Sequence, residues 1–385
     1  MKLLFCGDFV PGGMLHYQKE YVSTKFLDYI HDFDIRICTL ECAIGTDIPY
    51  DEAKRKSTNA IVYSTDEDFY RIKELGFDIV SLANNHITDL GKEGLENTIK
   101  KLDENGILHF GAGMNMDEAK RPLVINQEET TVAFIGCLFK GVAPTIFHAA
   151  TEKEYGVYQT DIETLQEDIR LAKEKYDKVI VMPHWAQEYN YMPPIYCYDY
   201  AKKMIDAGAD AIIASHPHIV NPRVKYKGKD IYFSLGNFLF PDICMEVPRP
   251  MCYPKDKKDV VNLPKVWAYP SGISQPSVAV WKKSNRVGML VDLTIDKNSK
   301  AYHSKYKLVL LGYDNILRMY EGGASLLVKL RLSLFAFFIK HPRYSLIRNM
   351  YMSKWNIIRR IKRKLQNKIE NKRILDSYAG KSVKS

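Results

Sequence analysis

The chain has 385 residues, 46% hydrophobic and 26% charged, a balance that excludes a disordered chain and leaves room for a large core, with about two domains as a soft expectation. Its net charge of +9 is uneven, because residues 325–385 hold 16 Lys+Arg against 2 Asp+Glu and the remainder is mildly acidic. Arguments about membranes or nucleic acid therefore concern the carboxyl-terminal stretch alone.

The opening residues, MKLLFCGDFV, are interrupted too soon for a signal peptide's apolar core or a spanning helix. A first strand near residues 3–6 ends in Gly7-Asp8 and is followed by a turn-rich PGG at 11–13. Asp beside Gly is ordinary turn chemistry, and equally a carboxylate delivered at a strand tip. A helical segment near 22–31 leads to DIRICTLE, whose apolar run ends at Glu41. EDFYRIKELGF reads as a helix over 66–75 closed by Gly76. It feeds the strand DIVSLA, which terminates in Asn84-Asn85-His86 with Asp89 in the loop beyond. GLENTIKKLDEN is the next helix, apolar at Leu95, Ile99 and Leu102 and stopped by Gly106.

After a GAG turn at 111–113, residues 123–126 and 131–135 form a hairpin-like pair, and His148 reads as a surface or rim residue. Helix DIETLQEDIRLAKEKY precedes strand KVIVM, which ends at Pro183-His184. Helix YDYAKKMIDAG precedes GADAIIASHPHIV, a β-branched run that stops at His216 and His218. Pro217 between them biases His216 toward extended backbone. Strand KDIYFSLGNF carries Gly236-Asn237 at its end, and residues 241–280 read as a long, weakly periodic rim loop. Strands RVGMLVDLTI and YHSKYKLVLL complete a body over 1–313, followed by a basic helical tail over 314–385. Seven scattered cysteines, odd in number and without a C-x-x-C pair, read as the reduced thiols of a cytosolic protein.

The pattern of strand, helix, strand, with ligand-type residues confined to strand ends, is that of an α/β protein with its site at the carboxyl edge. No P-loop, dinucleotide fingerprint or G-x-S-x-G elbow is present. Collected, the strand ends supply Asp8, Glu41, Asn85, His86, His184, His216 and His218. Each alone reads equally as a cap or a satisfied buried polar group. Five strand ends so furnished point to a metal-centred site, and the mixed oxygen and nitrogen set suits Mn, Fe or Zn. Two such cations polarise a phosphoryl oxygen and generate hydroxide at neutral pH, and one histidine left off the metals serves as proton donor.

The blocks GDFVPGG, TLECAI, SLANNHITDLGKEGLENTIKKLDENGILHFGAG, MPHWAQEY, GADAIIASHPHIV and IYFSLGNF resemble, in order and spacing, the CapA family of capsule and poly-γ-glutamate synthesis. That family belongs to the metallophosphatase-like, or calcineurin-like phosphoesterase, superfamily. The resemblance covers most of residues 1–312 and implies a four-layer αββα sandwich of two sheets flanked by helices, with two metals at the strand ends. It implies that Glu41 bridges the metals, with Asp8 and His218 on one and Asn85, His184 and His216 on the other. It further implies His86 as general acid and Asn237 as a residue lining the site. Three departures are visible: Asp8-Phe9-Val10 lacks the histidine of the superfamily's Asp-x-His block, Glu41 stands for the usual bridging Asp, and Ala214 for a frequent Gly. The position nearest Asp8 is therefore expected to be short of a ligand.

The tail is not covered by the resemblance. Residues 325–339 are apolar but interrupted by Lys329 and Arg331, which leaves an uncharged run too short to span a bilayer. Beyond Pro342, the residues Ile347, Met350, Tyr351, Trp355, Ile358, Ile361 and Leu365 recur at helical spacing among Arg and Lys. This composition fits an interfacial helix on an anionic membrane or a docking helix for a capsule synthase; packing on the body is the commoner role of such a stripe, and nucleic acid is the least favoured partner. The expectation is a cytoplasmic protein, peripheral on the inner face of the membrane. It acts as a metal-dependent, phosphoesterase-like hydrolase on an anionic polymer or phosphoester in capsule or exopolymer synthesis. The alternative is a non-catalytic, polymer-binding scaffold subunit.

Overall fold

Successive side chains of a strand face opposite sides, and along Lys2–Phe9 both sides are apolar. Leu3 and Phe5 enter one core cluster and Leu4 and Cys6 the other. A strand buried on both faces must lie inside a layered structure. The computed structural model describes residues 1–354 apart from 58, 128, 140–145 and 268–272, and this strand is central in the larger of its two main sheets. The chain divides into two units, Met1–Ala336 and Phe337–Ser385. The first holds both sheets and every predicted site residue, while the second is helical over 344–354. Trp355 and the remainder of the predicted amphipathic stripe lie outside the described residues.

The first sheet runs Leu317–Met319, Tyr302–Leu311, Val287–Ile295, Lys2–Phe9, Ile35–Leu40, Ile79–Ser81, Leu108–Phe110. Its last four strands are parallel, so their carboxyl ends share one edge. The second sheet has a parallel core of Thr130–Phe139, Lys178–His184, Ala211–Ile213 and Lys229–Tyr232. Between the sheets, Leu3, Phe5, Ile37 and Ile79 pack with Phe134, Ile180, Met182 and Ile213, and the Phe5 and Phe134 rings are 6.2 Å apart. Each such side chain, fully buried, contributes about 1.5–3 kcal/mol.

Helices cover both outer faces. Phe26 and Ile30 of Thr24–Ile30, Ile72 of Tyr70–Glu74, and Leu95 and Leu102 of Gly91–Glu104 join the outer core of the first sheet. Ile162–Lys175, whose N-cap Asp161 accepts from Thr164 N at 2.9 Å, lies with Ile195–Asp206 on the second. The fold is thus mixed α/β in four layers, helix, sheet, sheet, helix.

Three details differ from the sequence reading. KDIYFSLGNF is not one strand: Lys229–Tyr232 ends in the second sheet, and Asn237–Leu239 pairs in parallel with the end of Lys2–Phe9 in the first. The crossing turns at Gly236, φ 66°, a left-handed conformation that glycine adopts without strain. Residues 241–280 are more ordered than a loop, with a small sheet of Ile243–Met245, Ser277–Val280 and Lys265–Trp267 and the helix Lys257–Val261. Packing also continues past residue 313: Leu317 N donates to Tyr21 O at 2.8 Å, and Leu332 of the helix Gly322–Ile339 joins the core between the sheets. That helix is long and apolar enough to cross a membrane by length and composition, which the sequence reading had excluded because of Lys329 and Arg331. Both are long side chains that can carry their charge away from an apolar stem.

Candidate metal centre

Parallel strands that all end at one edge must present whatever follows them at that edge. Asp8 is the penultimate residue of Lys2–Phe9 and pairs in register with Asn237. Glu41 directly follows Ile35–Leu40, Asn85 and His86 follow Ile79–Ser81, His184 closes Lys178–His184, and His216 and His218 follow Ala211–Ile213. The two sheets meet there through a hydrogen bond from Thr39 Oγ1 of the first to Ser215 Oγ of the second at 3.3 Å, and a parallel bridge between His184 and Ser215 carries the second sheet's pairing out to the same edge. All eight predicted residues come together, and all are buried.

Two donor groups form around one carboxylate. Glu41, His184 and His216 offer ligand atoms within 4.8 Å of one another, as do Asp8, Glu41 and His218. Asn85 Oδ1 is 2.8 Å from His184 Nε2, and His216 Nδ1 is 3.0 Å from that same nitrogen, so three donors converge on one point. On the other side His218 Nε2 is 3.5 Å from Glu41 Oε1, and His218 Nδ1 is 3.6 Å from Asp8 Oδ2 and 2.9 Å from Asn237 Oδ1. Val10, two residues beyond Asp8, is buried in the apolar outer core and offers no donor.

The electrostatics of this cluster call for cations. Among the described residues, none of the four carboxylate oxygens of Asp8 and Glu41 accepts a hydrogen bond of normal geometry. Burial pushes Asp8 up to about 7, with Glu41, the His216 backbone and Ser215 partly offsetting it. Burial and then the Asp8 charge push Glu41 well up. Burial likewise holds His184 and His218 well below the usual imidazole range and His216 down to about 3, and mutual repulsion adds to it. Neutral imidazoles are the form that ligates a divalent metal, and carboxyl groups that burial drives to hold a proton give it up when such an ion supplies the opposing charge. The residues present fit such an ion.

The backbone is strained where it turns these rings inward. His216 has φ 94° and His218 φ 52°, so Pro217 does not hold His216 extended as the sequence suggested. Tyr189 N donating to Pro217 O at 2.9 Å, and Trp185 N to Ser215 O at 3.3 Å, fix the turn instead. Ala186 and Tyr189 in the facing loop are also left-handed, at φ 74° and 63°. Such residues cost about 1–3 kcal/mol each and persist at sites where surrounding contacts over-determine them.

His86 stands apart from the two donor groups. Its Nδ1 is 2.8 Å from Asp89 Oδ2, which also accepts from Val62 N at 2.6 Å. Lys54, buried, ion-pairs with Asp89 and donates to Asn85 O at 2.9 Å. Sequence reasoning missed Lys54 altogether, because DEAKRKST reads as a solvated charge run; Asp89 was legible only as part of a hydrogen-bonded loop three residues after His86. Asp51, one turn before Lys54, caps its helix and holds His148 Nε2 at 2.7 Å, which makes His148 a rim residue rather than a ligand. Over His218 the rings of Tyr189, Phe240 and Trp281 lie 5.9, 5.6 and 5.3 Å away and form an aromatic wall.

Residues 2–242 match the family described as bacterial capsule synthesis protein PGA_cap. The chain belongs to this family. It is 35% identical over 191 residues to the capsule biosynthesis protein CapA of Bacillus anthracis, which covers 49% of this chain and 46% of that protein. It is 32% identical over 195 residues, half of each chain, to the PGA biosynthesis protein CapA of Bacillus subtilis (strain 168). The chain thus spans about half the length of the curated relatives it matches. A solved 5′-nucleotidase, described as putative, from Staphylococcus aureus in complex with alpha-ketoglutarate aligns at 13% identity and a TM-score of 0.44, over 86% of this chain and 58% of that one. At that distance the likeness bears on neither activity nor substrate.

Proposed function

We propose that this capsule-family protein is a metal-dependent hydrolase that cleaves a phosphoester-like bond during synthesis of an anionic capsule polymer. The observation that carries the reading is the pair of buried donor groups sharing Glu41, whose carboxylate oxygens and those of Asp8 accept no hydrogen bond of normal geometry among the described residues. Glu41 would be held in common, with Asp8 and His218 on one ion and Asn85, His184 and His216 on the other. Mn, Fe or Zn suits that set. When bound, such ions supply Lewis acidity toward a phosphoryl oxygen and hydroxide at neutral pH.

The chain's own residues do the rest. Asp89 accepts from Nδ1–H of His86, so Nε2 faces the leaving group and hands it a proton when the ring is the imidazolium, a form that burial disfavours and the Asp89 charge favours. Lys54 balances the Asp89 charge, so the pair orients the imidazole without adding net negative charge to the site. Asn237 ties His218 in place through its Oδ1. Tyr189, Phe240 and Trp281 screen that imidazole from water.

Metal analysis of the purified protein, followed by turnover of bis-p-nitrophenyl phosphate, tests the reading. His86→Ala should keep its metal and lose turnover, and His184→Ala should lose both. Metal-loaded protein inert on a broad phosphoester and amide panel would leave the polymer-binding scaffold as the better reading.

The helix Gly322–Ile339 supports a peripheral membrane role for the same protein. Leu332 packs on the body, while Leu326, Leu327, Leu330 and Leu334 are exposed, an apolar face of the kind that lies in a lipid interface. Vesicles containing anionic lipid should float the full chain and leave behind a chain ending at Glu321. Equal flotation of the two removes the membrane role.

A further inference from the structure

Two of the seven cysteines, distant from the metal centre in sequence and unremarkable by spacing, face each other in the rim. Cys244 lies in the strand Ile243–Met245, and the chain returns after a short reversal so that Met245 and Met251 pair antiparallel. Glu246 N donates to Pro250 O at 2.9 Å and Cys252 N to Cys244 O at 3.0 Å, which flank the Met245–Met251 bridge and set Cys244 and Cys252 opposite each other, joined by one backbone hydrogen bond. In such pairs the Cα atoms are about 5.5 Å apart, inside the range that a disulfide spans without backbone movement. The two sulfurs are 2.9 Å apart. Both side chains are buried in a small cluster with Val260 and Val278, on which Met14, Tyr17 and Leu263 pack, which holds the two sulfurs facing each other.

We propose that Cys244 and Cys252 are a dithiol that closes to a disulfide, a redox modification site built into the rim of the metal centre. The oxidant is a low-molecular-weight disulfide of the glutathione class. The Cys244 thiolate attacks one of its sulfurs and expels the first small thiolate, which leaves a mixed disulfide on Cys244. Cys252, losing its proton, then attacks Sγ of Cys244 and expels the second. One protein S–S bond forms, the oxidant's S–S bond breaks, and the two cysteine protons finish on the two small thiols. Cys252 S–H donating to Cys244 lowers the Cys244 thiol and raises its own, which makes Cys244 the attacking sulfur.

The link has a target. The hairpin it would tie off, residues 246–250, forms one wall of a cavity of about 170 Å³ whose other wall includes Tyr50, Lys54, Arg55, Ser57 and Ile61. Lys54 is the residue that balances Asp89 beneath His86. The charge of Arg249, within the hairpin, reaches His86 and Glu188. Closing the bond fixes the hairpin at its base and so fixes Arg249 relative to His86, while opening it leaves the hairpin held by backbone hydrogen bonds alone. This consequence is independent of whether the centre is hydrolytic.

The test uses the full chain equilibrated in oxidised or reduced glutathione, alkylated under denaturing conditions and weighed intact. Cleavage after Glu246 puts the two cysteines on separate peptides, which remain joined only by the disulfide. Oxidised protein should lose two hydrogens and yield the joined peptide, and reductant should release it. Amide exchange over residues 246–251 should slow severalfold on oxidation. Both cysteines alkylated after oxidation would overturn the proposal, as would a Cys244→Ser chain that loses two hydrogens to the same extent. A joined peptide with unchanged exchange would overturn the coupling to the hairpin.

Discussion

Replacing Asp8 with asparagine tests the electrostatic core of the site directly. The carboxylate is buried, accepts no hydrogen bond of normal geometry among the described residues, and is pushed up to about 7 by that burial. In metal-free protein the native state therefore keeps a proton that the unfolded chain, titrating near 3.8, has already released. Stability contributed by this group is present below about pH 4 and falls as pH rises to about 7. Between about pH 5 and 7 that is roughly two units at 1.36 kcal/mol each, or about 2.7 kcal/mol. The buried imidazoles are shifted down and titrate in the opposite sense, and Glu41 is pushed up by burial and then by the Asp8 charge, so the difference between variant and parent reads Asp8 together with its coupling to Glu41. Urea unfolding in EDTA should show Asp8→Asn gaining about 3 kcal/mol on the parent between about pH 5 and 8. Saturating Mn²⁺ or Zn²⁺ should reverse the order, since at a hundred times Kd an ion stabilises the parent by about 2.7 kcal/mol. A difference flat with pH, or a variant unmoved by metal relative to the parent, refutes the reasoning.

Glu41→Ala should abolish uptake of both ions, and His218→Ala uptake of one, by elemental analysis; a full equivalent retained by Glu41→Ala rules out a shared carboxylate. Lys54→Met leaves the Asp89 carboxylate buried without its cation and should cost about 3–5 kcal/mol by urea unfolding. Most of that should return in Lys54→Met/Asp89→Asn, and simple additivity of the two changes would show that they are not coupled. Gly7→Ala would put a Cβ 1.9 Å from Gly236 O. The tips carrying Asp8 and Asn237 must then separate, with an expected loss of about 1–3 kcal/mol and weaker metal uptake by calorimetry. Unchanged uptake would mean that the close approach does not position Asp8.

Strand ends were readable from sequence because an apolar run that halts at a carboxylate or imidazole is a local pattern. Asp8, Glu41, Asn85, His86, His184, His216 and His218 were each found in this way, and the alternation of strands and helices already implied parallel strands with a shared edge. Asn237 was found as the end of a strand, but that strand does not exist as one piece. The break at Gly236 and the crossing between sheets depend on the close approach of Gly7, a contact between residues far apart in the chain. Lys54 was illegible for a related reason. Its charge is indistinguishable from its exposed neighbours Arg55 and Lys56 until Asp89 is brought to it by the fold. Cys244 and Cys252 likewise became a pair only through a chain reversal in what reads as a structureless rim.

The sequence by itself therefore determined the inventory of candidate donors, their order along the chain and the layered α/β class, because hydrophobic periodicity and chain punctuation are local. Tertiary structure alone decided which donors gather around Glu41, how His216 and His218 turn against their backbone preferences, and which charge sits beneath His86. Those outcomes are set by long-range packing between the two sheets, where a few ångströms separate a ligand from a neighbour and no local pattern records the distance.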